Sequence, residues 1–421
     1  MTTIAIPSRE LPISASDIFI SSATSTSSQS PINKKIANPL GLGMPATSST
    51  VCLTNIKPIQ RESQVFTLKE KTSHLLQNAL SQLKYPYFAG QFSNPEERQN
   101  YQEFISVFSQ REQEATSIVA EVLAQNEPKI LASLQQLKRN KSDLTHIIIK
   151  GCPLQPAQQI STPLPYGFTD LSDKNPAPEW LLIGMANMLG KPMGYTNEKN
   201  AQIIHQIAPD PEKIKSLSSA GSKADLPPHI EAAALYVRPD FLVIGCARGD
   251  RERQAETSIY PVDSAVSHLS HKDVEVLQQE RFSHGMPPSF GNYSESEAQE
   301  SRPAQTVLSR TDSGHFEANI DVAFTVPYEK GNDPEAQEAL NHLNESFNSE
   351  KLPFKLESGD LLLFSNTRAL HGRNGFNCFG DGQDRWLQRI YVASNLESKV
   401  NVHEGSAVCG RIFDNGDVKI L

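Results

Sequence analysis

With 421 residues, 39 lysines and arginines against 48 acids and a formal net charge of −9, the chain can bury one large core or two smaller ones. It lacks the basic footprint of a nucleic-acid binder, and no apolar run approaches the roughly 20 residues of a bilayer-spanning helix. The start, MTTIAIPSRELPIS, has no basic region leading into an apolar stretch, so no secretion signal is expected.

Residues 1–60 differ from the rest. SSATSTSSQS at 21–30 holds eight serines and threonines in ten, too little apolar surface to offset ordering entropy, and reads as a flexible arm that could drape over the body as a lid. Residues 61–421 read as a single domain. From about 66 to 140 the pattern is helical: Phe104, Val107, Phe108, then Ile118, Val119, Val122 and Leu123 recur at three- and four-residue spacing as a core face. Pro128, after Asn126, opens a further helix. THIIIKGCP reads as a buried strand stopped by Gly and Pro, and EWLLIGMANMLGKP as one more helix.

The chain then turns strand-rich. ALYVRPDFLVIGCAR carries two short apolar runs broken at Arg238-Pro239-Asp240, and GDLLLFSNTRALHGR and RWLQRIYVASN complete the set. Between them NDPEAQEALNHLNESF is a helical insert begun by Asp333 and Pro334. Helices first, then many short strands from about 145 to 421, predict an α+β fold: an antiparallel sandwich or barrel flanked by helices. The five cysteines, Cys52, Cys152, Cys246, Cys378 and Cys409, are scattered without Cys-x-x-Cys spacing. They point to free thiols in a reducing, cytoplasmic compartment.

A histidine two residues before an acid occurs three times, at His229/Glu231, His271/Asp273 and His315/Glu317, where 11 histidines and 48 acids in 421 residues predict about one by chance. Context separates them. Ser270 stands three residues before Asp273 ahead of an apolar-periodic run, the signature of a helix cap. His315/Glu317 lies among turn formers and reads as a solvated loop. His229/Glu231 follows Pro227-Pro228, which favours extended backbone, and on a strand residues i and i+2 share a face. A third ligand is available in His371, in the turn-prone Leu-His-Gly-Arg that follows the strand ending near Asn366. His229, Glu231 and His371 would form a two-histidine, one-carboxylate face with open positions opposite; the 139 residues between Glu231 and His371 suit ligands on opposite strands of a barrel. Unrelated structural histidines are the alternative. Arg385 and Arg389, four apart on DRWLQRIYV, share a strand face, and a guanidinium fork suits a planar carboxylate; two surface arginines are the alternative.

LPPHIEAAALYVRPDFLVIGCARGD, GDLLLFSNTRALHGRNGF and DRWLQRIYV together resemble the clavaminate synthase-like branch of the taurine-dioxygenase superfamily, Fe(II)- and 2-oxoglutarate-dependent oxygenases that include arginine, asparagine and lysine hydroxylases. The resemblance runs from about THIIIKGCP to YVASN. It implies a double-stranded β-helix, or jelly roll, with helices packed outside. It also implies His229, Glu231 and His371 as iron ligands, Arg385 for the distal carboxylate of 2-oxoglutarate with Thr257 beside it, and Arg389 for a substrate carboxylate. Ile230 stands where the family has threonine. Relatives acting on basic amino acids carry acids in the region matching SRTDSGHFEANIDVAF, where Asp312 and Asp321 are available.

The implied reaction uses O2 to convert 2-oxoglutarate into succinate and CO2 while hydroxylating an unactivated C–H of a small polar amino acid. Glu231 as third ligand argues against halogenation, whereas desaturation and ring closure stay open. SLSSAGSKADL before the iron motif reads as a rim over the pocket or as a plain loop. An oxygenase acting on a protein- or carrier-bound residue, and a non-catalytic jelly-roll binding protein, are the rival readings.

Overall fold

The computed structural model describes residues 64–84, 95–155, 160–163, 175–195, 198–199, 202–235, 237–285, 304–329, 331–395 and 408–410, with backbone alone for 95–106 and 408–410. The Ser/Thr-rich arm, Cys52 and the side chains of Phe104 and Cys409 lie outside the described residues.

Strand β1 (Gln64–Thr67) leads into helices α1 (Glu70–Leu80), α2 (Pro95–Asn126) and α3 (Pro128–Arg139). Pro128 sits in the first turn of α3, where its missing N–H costs nothing, and Asn140 closes the helix in the left-handed region at φ 51°. Phe108, Val119 and Leu123 are fully buried, and Ile118 and Val122 pack against the same core. Val107, predicted on that face, is instead half exposed, at 51%.

Strand β2 (His146–Lys150), helix α4 (Ala177–Leu189) and strands β3 (Lys191–Tyr195), β4 (Ile204–Ile207), β5 (Leu226–His229), β6 (Phe241–Arg248) and β7 (Thr257–Pro261) follow. Only the second apolar run of ALYVRPDFLVIGCAR becomes a strand; residues 231–234 form a turn. Helices α5 (Val262–Val266) and α6 (His271–Leu277) come next, then β8 (Phe282–His284), β9 (Leu308–Arg310), β10 (Phe316–Ala318) and β11 (Thr325–Pro327). Ser270 caps α6 by accepting from the Asp273 amide, and Asp333 caps α7 (Pro334–Ser349) through the Ala336 amide. Strands β12 (Leu352–Phe354), β13 (Leu361–Ser365), β14 (Ala369–Arg373), β15 (Trp386–Ala393) and β16 (Val408–Gly410) complete the order.

The larger sheet runs β1-β2-β13-β6-β15-β3-β16, with β4 also pairing β15, and the smaller runs β12-β7-β14-β5. Pairing is antiparallel apart from β1 with β2. The two-residue period of the large sheet sorts its side chains. Ile147, Ile149, Val243, Leu361, Leu363, Ile390 and Val392 join α1–α4 in one core. Ile148, Leu242, Ile244, Leu362, Phe364, Leu387 and Tyr391 face the other way and meet Ile259 and Ala369 of the small sheet. Because α4 packs directly on β6, a Cβ at Gly245 would lie 2.7 Å from Leu182. Arg389 alternates in register with Tyr391, so it belongs to the face turned toward the small sheet.

Two local expectations change. The loop reading holds for His315 but not for Glu317: His315 lies in the β9–β10 connection, half-buried with Nδ1 2.9 Å from Asp263, whereas Glu317 pairs with Ser309 in the hairpin. His371 is not in a turn but in the middle of β14, where pairing on both edges, with β5 and β7, overrides the turn propensity of Gly372. There a Cβ would approach the Leu226 carbonyl to 2.7 Å, so glycine permits the close pairing with β5.

Candidate metal centre and active site

His229 ends β5, and its cross-strand partner is His371 on the neighbouring β14. The two histidines therefore sit on adjacent strands, not on opposite strands of a barrel, and Glu231 lies not on the strand with His229 but in the turn that follows it. The two imidazole rings lie 4.2 Å apart between centroids. Glu231 follows two residues after His229, and its Oε1 is 3.4 Å from His371 Nε2. One donor atom from each of His229, Glu231 and His371 falls within 4.8 Å of the others, an arrangement that could hold a metal ion.

The protonation states suit that task. His229 Nδ1 is 2.8 Å from the Pro227 carbonyl, so this nitrogen donates to it and Nε2 is the ring nitrogen left for a metal. Burial, then the neighbouring His229, pushes the His371 imidazole down to about 4, so it is neutral at ordinary pH. Burial works against the Glu231 charge, but Arg389, His371 and His229 outweigh it and hold the carboxyl well below its usual range. Tyr391 Oη donates to Glu231 Oε2 at 3.0 Å, and Arg389 Nη1 donates to Oε1.

A cavity of about 100 Å³ opens over these groups, lined by residues from both sheets, including Ile244, Thr257, His371, Arg385, Leu387 and Arg389. Arg385 is buried and its Nη2 donates to Thr257 Oγ1 at 3.1 Å, joining the two residues predicted to act as a pair. It makes no ion pair among the described residues, and burial lowers its pKa. Asp321 lines the cavity and pairs with His229 in an isolated bridge; burial raises its pKa although His229 opposes the shift. Asp312 lies exposed on the β9–β10 turn. Leu217, Ser218, Ser219 and Gly221 line the cavity, so SLSSAGSKADL forms part of its wall. Ile230 packs into an apolar cluster with Ala233 and Tyr260.

Further groups complete the site that motif spacing does not reveal. Arg389 pairs across strands with His205 of β4, and its Nη2 reaches His205 Nδ1 at 2.9 Å and Glu198 Oε1 at 3.2 Å. Burial pushes the Glu198 carboxyl up to about 7, with Arg389 opposing and Glu231 adding to the rise. Its Oε2 has no hydrogen-bond partner among the described residues, although the side chain lines the cavity. Arg373, two residues beyond His371, donates to the carbonyls of Gly221, Ser222 and Asn374 and stacks on Phe376. Burial, then its like-charged neighbour Arg385, lowers its pKa to about 9. Tyr391 could have been found from the two-residue strand period after Arg389; Glu198 and His205 depend on the β4–β15 register and leave no local signal.

Among solved structures, the chain is similar to asparagine oxygenase in complex with Fe(II), 2S,3S-3-hydroxyasparagine and succinate, at TM-score 0.63 and 24% identity over 79% of this chain and 95% of that one. Curated relatives include L-asparagine oxygenase of Streptomyces coelicolor, 30% identical over 250 residues, covering 59% of this chain and 71% of the relative. Clavaminate synthase 2 of Streptomyces clavuligerus is 26% identical over 288 residues, 67% of this chain and 84% of the relative. The profile of the taurine catabolism dioxygenase TauD, TfdA family matches residues 146–391, more than half of the sequence and the whole span from β2 through Tyr391. The chain is therefore a member of the TauD/TfdA dioxygenase family.

Proposed function

We propose that this protein is an Fe(II)- and 2-oxoglutarate-dependent oxygenase that hydroxylates an unactivated C–H of a small polar amino acid or derivative, with succinate and CO2 as co-products. The observation that carries the reading is the His229–Glu231–His371 face at the wall of a cavity that also holds a buried Arg385, which makes no ion pair among the described residues. The family match and the similarity to L-asparagine oxygenase support it. In this reading the two sheets form the double-stranded β-helix of a single oxygenase domain at about 61–421, and the free thiols Cys152, Cys246 and Cys378 suit a reducing cytoplasm. No helix among the described residues is long and apolar enough to cross a membrane.

His229, His371 and one Glu231 oxygen would hold the metal, a donor set that suits ferrous iron and would leave one side open. Bound there with 2-oxoglutarate and O2, iron supplies the oxidising chemistry that places a hydroxyl on the substrate carbon. Arg385 and Thr257 hold the distal carboxylate of 2-oxoglutarate; in a dry pocket that fork supplies a charge-assisted anchor and a fixed orientation. Arg389 accepts the substrate carboxylate. Glu198 Oε2, which has no hydrogen-bond partner among the described residues and lies beside Arg389, suits an ammonium group. A cation and an acid side by side fit the two ends of a free amino acid, and a residue within a peptide lacks both, which favours the small molecule over a protein- or carrier-bound target. Asp321 is left for a polar or basic side chain, and apolar groups such as Ile244 and Leu387 keep water from the reacting carbon.

The test is anaerobic loading with Fe(II) and 2-oxoglutarate, followed by O2 and a panel of amino acids. Succinate release coupled to a product heavier by one oxygen atom is expected; loss of two hydrogens would instead reveal desaturation or ring closure. His371→Ala is expected to lose the charge-transfer absorption of the iron–oxoacid chelate. Survival of that band unchanged refutes the ligand assignment.

A further inference from the structure

Glu231 is held from two sides. Arg389 and Tyr391 hold its carboxylate, while its backbone is gripped by a residue outside the cavity lining. Asn366, fully buried at the end of β13, accepts from the Glu231 amide through Oδ1 at 2.9 Å. Its Nδ2 donates to the Glu231 carbonyl at 3.2 Å and to the Pro239 carbonyl at 2.9 Å. One N–H and two carbonyls fix which end of the amide is oxygen and which nitrogen. The Asn366 main chain is anchored in turn, its amide donating to the Asp240 carbonyl at 2.8 Å.

The segment held this way departs from the strand abruptly. Up to His229 the chain is β5; at Ala232 it takes φ +61°, a left-handed conformation that a Cβ makes unfavourable. Such a residue persists only where its surroundings over-determine it. On the upstream side, the Ile230 amide donates to the Ile320 carbonyl at 3.0 Å. On the downstream side, the Leu235 amide closes back on the Ala232 carbonyl at 2.9 Å. Between these ties, Asn366 meets both polar groups of the Glu231 peptide unit, as a neighbouring strand would. The strand that follows the β13–β14 connection, β14, carries His371 five residues after Asn366, so one stretch of chain supplies a candidate ligand and the grip on another.

We propose that Asn366 is a positioning residue for the metal centre: its amide holds the backbone of Glu231 against the strain at Ala232 and so aims the carboxylate at the point where His229 and His371 converge. This inference rests on the metal reading of the site but concerns a residue that would touch neither metal nor substrate. Asparagine alone among short side chains offers a donor and an acceptor in one plane at this reach.

The test is a Co(II) titration of the full chain, followed calorimetrically and by the visible spectrum of the bound ion, with wild type, Asn366→Ala, Ala232→Gly and the double variant. Asn366→Ala is expected to bind Co(II) at least about tenfold more weakly, with a changed visible spectrum. Glycine takes positive φ without a steric penalty, so adding Ala232→Gly to Asn366→Ala should recover a measurable part of that loss, while Ala232→Gly alone changes little. Deuterium uptake at Glu231–Leu235 should rise in metal-free Asn366→Ala. Should alanine fail to fold, Asn366→Ser, which keeps a hydroxyl on this face, is expected to show an intermediate loss. Wild-type affinity and spectrum in a folded Asn366 variant, or no recovery in the double variant, overturns the proposal. Failure of the wild type to bind Co(II) overturns the metal reading instead.

Discussion

Replacing Arg385 with methionine separates cosubstrate binding from folding. Arg385 is buried, donates to Thr257 Oγ1 at 3.1 Å and has no carboxylate partner among the described residues. Removing one member of a buried, hydrogen-bonded charge pair costs about 2–5 kcal/mol, or about 30- to 4,000-fold in affinity at about 1.4 kcal/mol per tenfold. Arg373, close enough to feel the Arg385 charge, remains as a second cation, so the lower half of that range is expected. Anaerobic titration of the Fe(II)-loaded protein with 2-oxoglutarate, read by the chelate absorption, gives the affinity directly. Arg385→Lys keeps the charge without the planar fork and should fall between, and Thr257→Val should cost about 1 kcal/mol. Because the cation is buried without a counter-ion, the ligand-free Arg385→Met protein should melt no lower than wild type. Near-wild-type 2-oxoglutarate affinity in Arg385→Met refutes the reasoning.

Glu198→Gln should raise the KM of the amino-acid substrate; in wild type, binding should strengthen as pH rises through about 7, where Glu198 ionises, and the variant should lose that limb. Arg373→Gln removes charge-assisted bonds to the Gly221 and Ser222 carbonyls, worth about 1.5–3 kcal/mol each; substrate KM should rise about tenfold or more, with little change in 2-oxoglutarate affinity. His146 is buried, which lowers its imidazole from 6.5 to about 4. Its neutral form is the folded form, so its contribution is complete above pH 6.5 and declines as pH falls toward 4, by about 3 kcal/mol in all. Thermal melts of His146→Phe should therefore show a shallower acid limb than wild type. Gly372→Ala would bring a Cβ to 2.7 Å from the Leu226 carbonyl, costing about 1–3 kcal/mol and weakening metal binding by pushing β14 off β5.

The parts of this site legible in sequence are those that short-range geometry dictates. The two-residue spacing of His229 and Glu231 marks them as neighbours in the site, although β5 ends at His229 and Glu231 opens the turn that follows, and Arg385, just before β15, reaches the same cavity as Arg389 within it. The caps of α6 and α7 follow from Ser270 and Asp333, whose side chains answer amides three residues on. What the sequence does not print is register. His371 reads locally as a turn and becomes a strand because β5 and β7 pair with it on both edges. Glu198 and His205 reach Arg389 only because β4 lies beside β15, and Asn366 meets Glu231 from 135 positions away. Val107 has the right spacing for the core face of α2 and is nonetheless exposed, since periodicity fixes a helical stripe but not its edges.

An anomalous-scattering map from crystals grown without O2 in the presence of Fe(II) and 2-oxoglutarate tests the central claim most directly. One iron peak in coordinating contact with His229 Nε2, His371 Nε2 and a Glu231 oxygen is expected, with a carboxylate of 2-oxoglutarate seated on the Arg385 guanidinium. Iron bound elsewhere, or a cavity that stays free of both iron and oxoacid at saturating concentrations, contradicts the account.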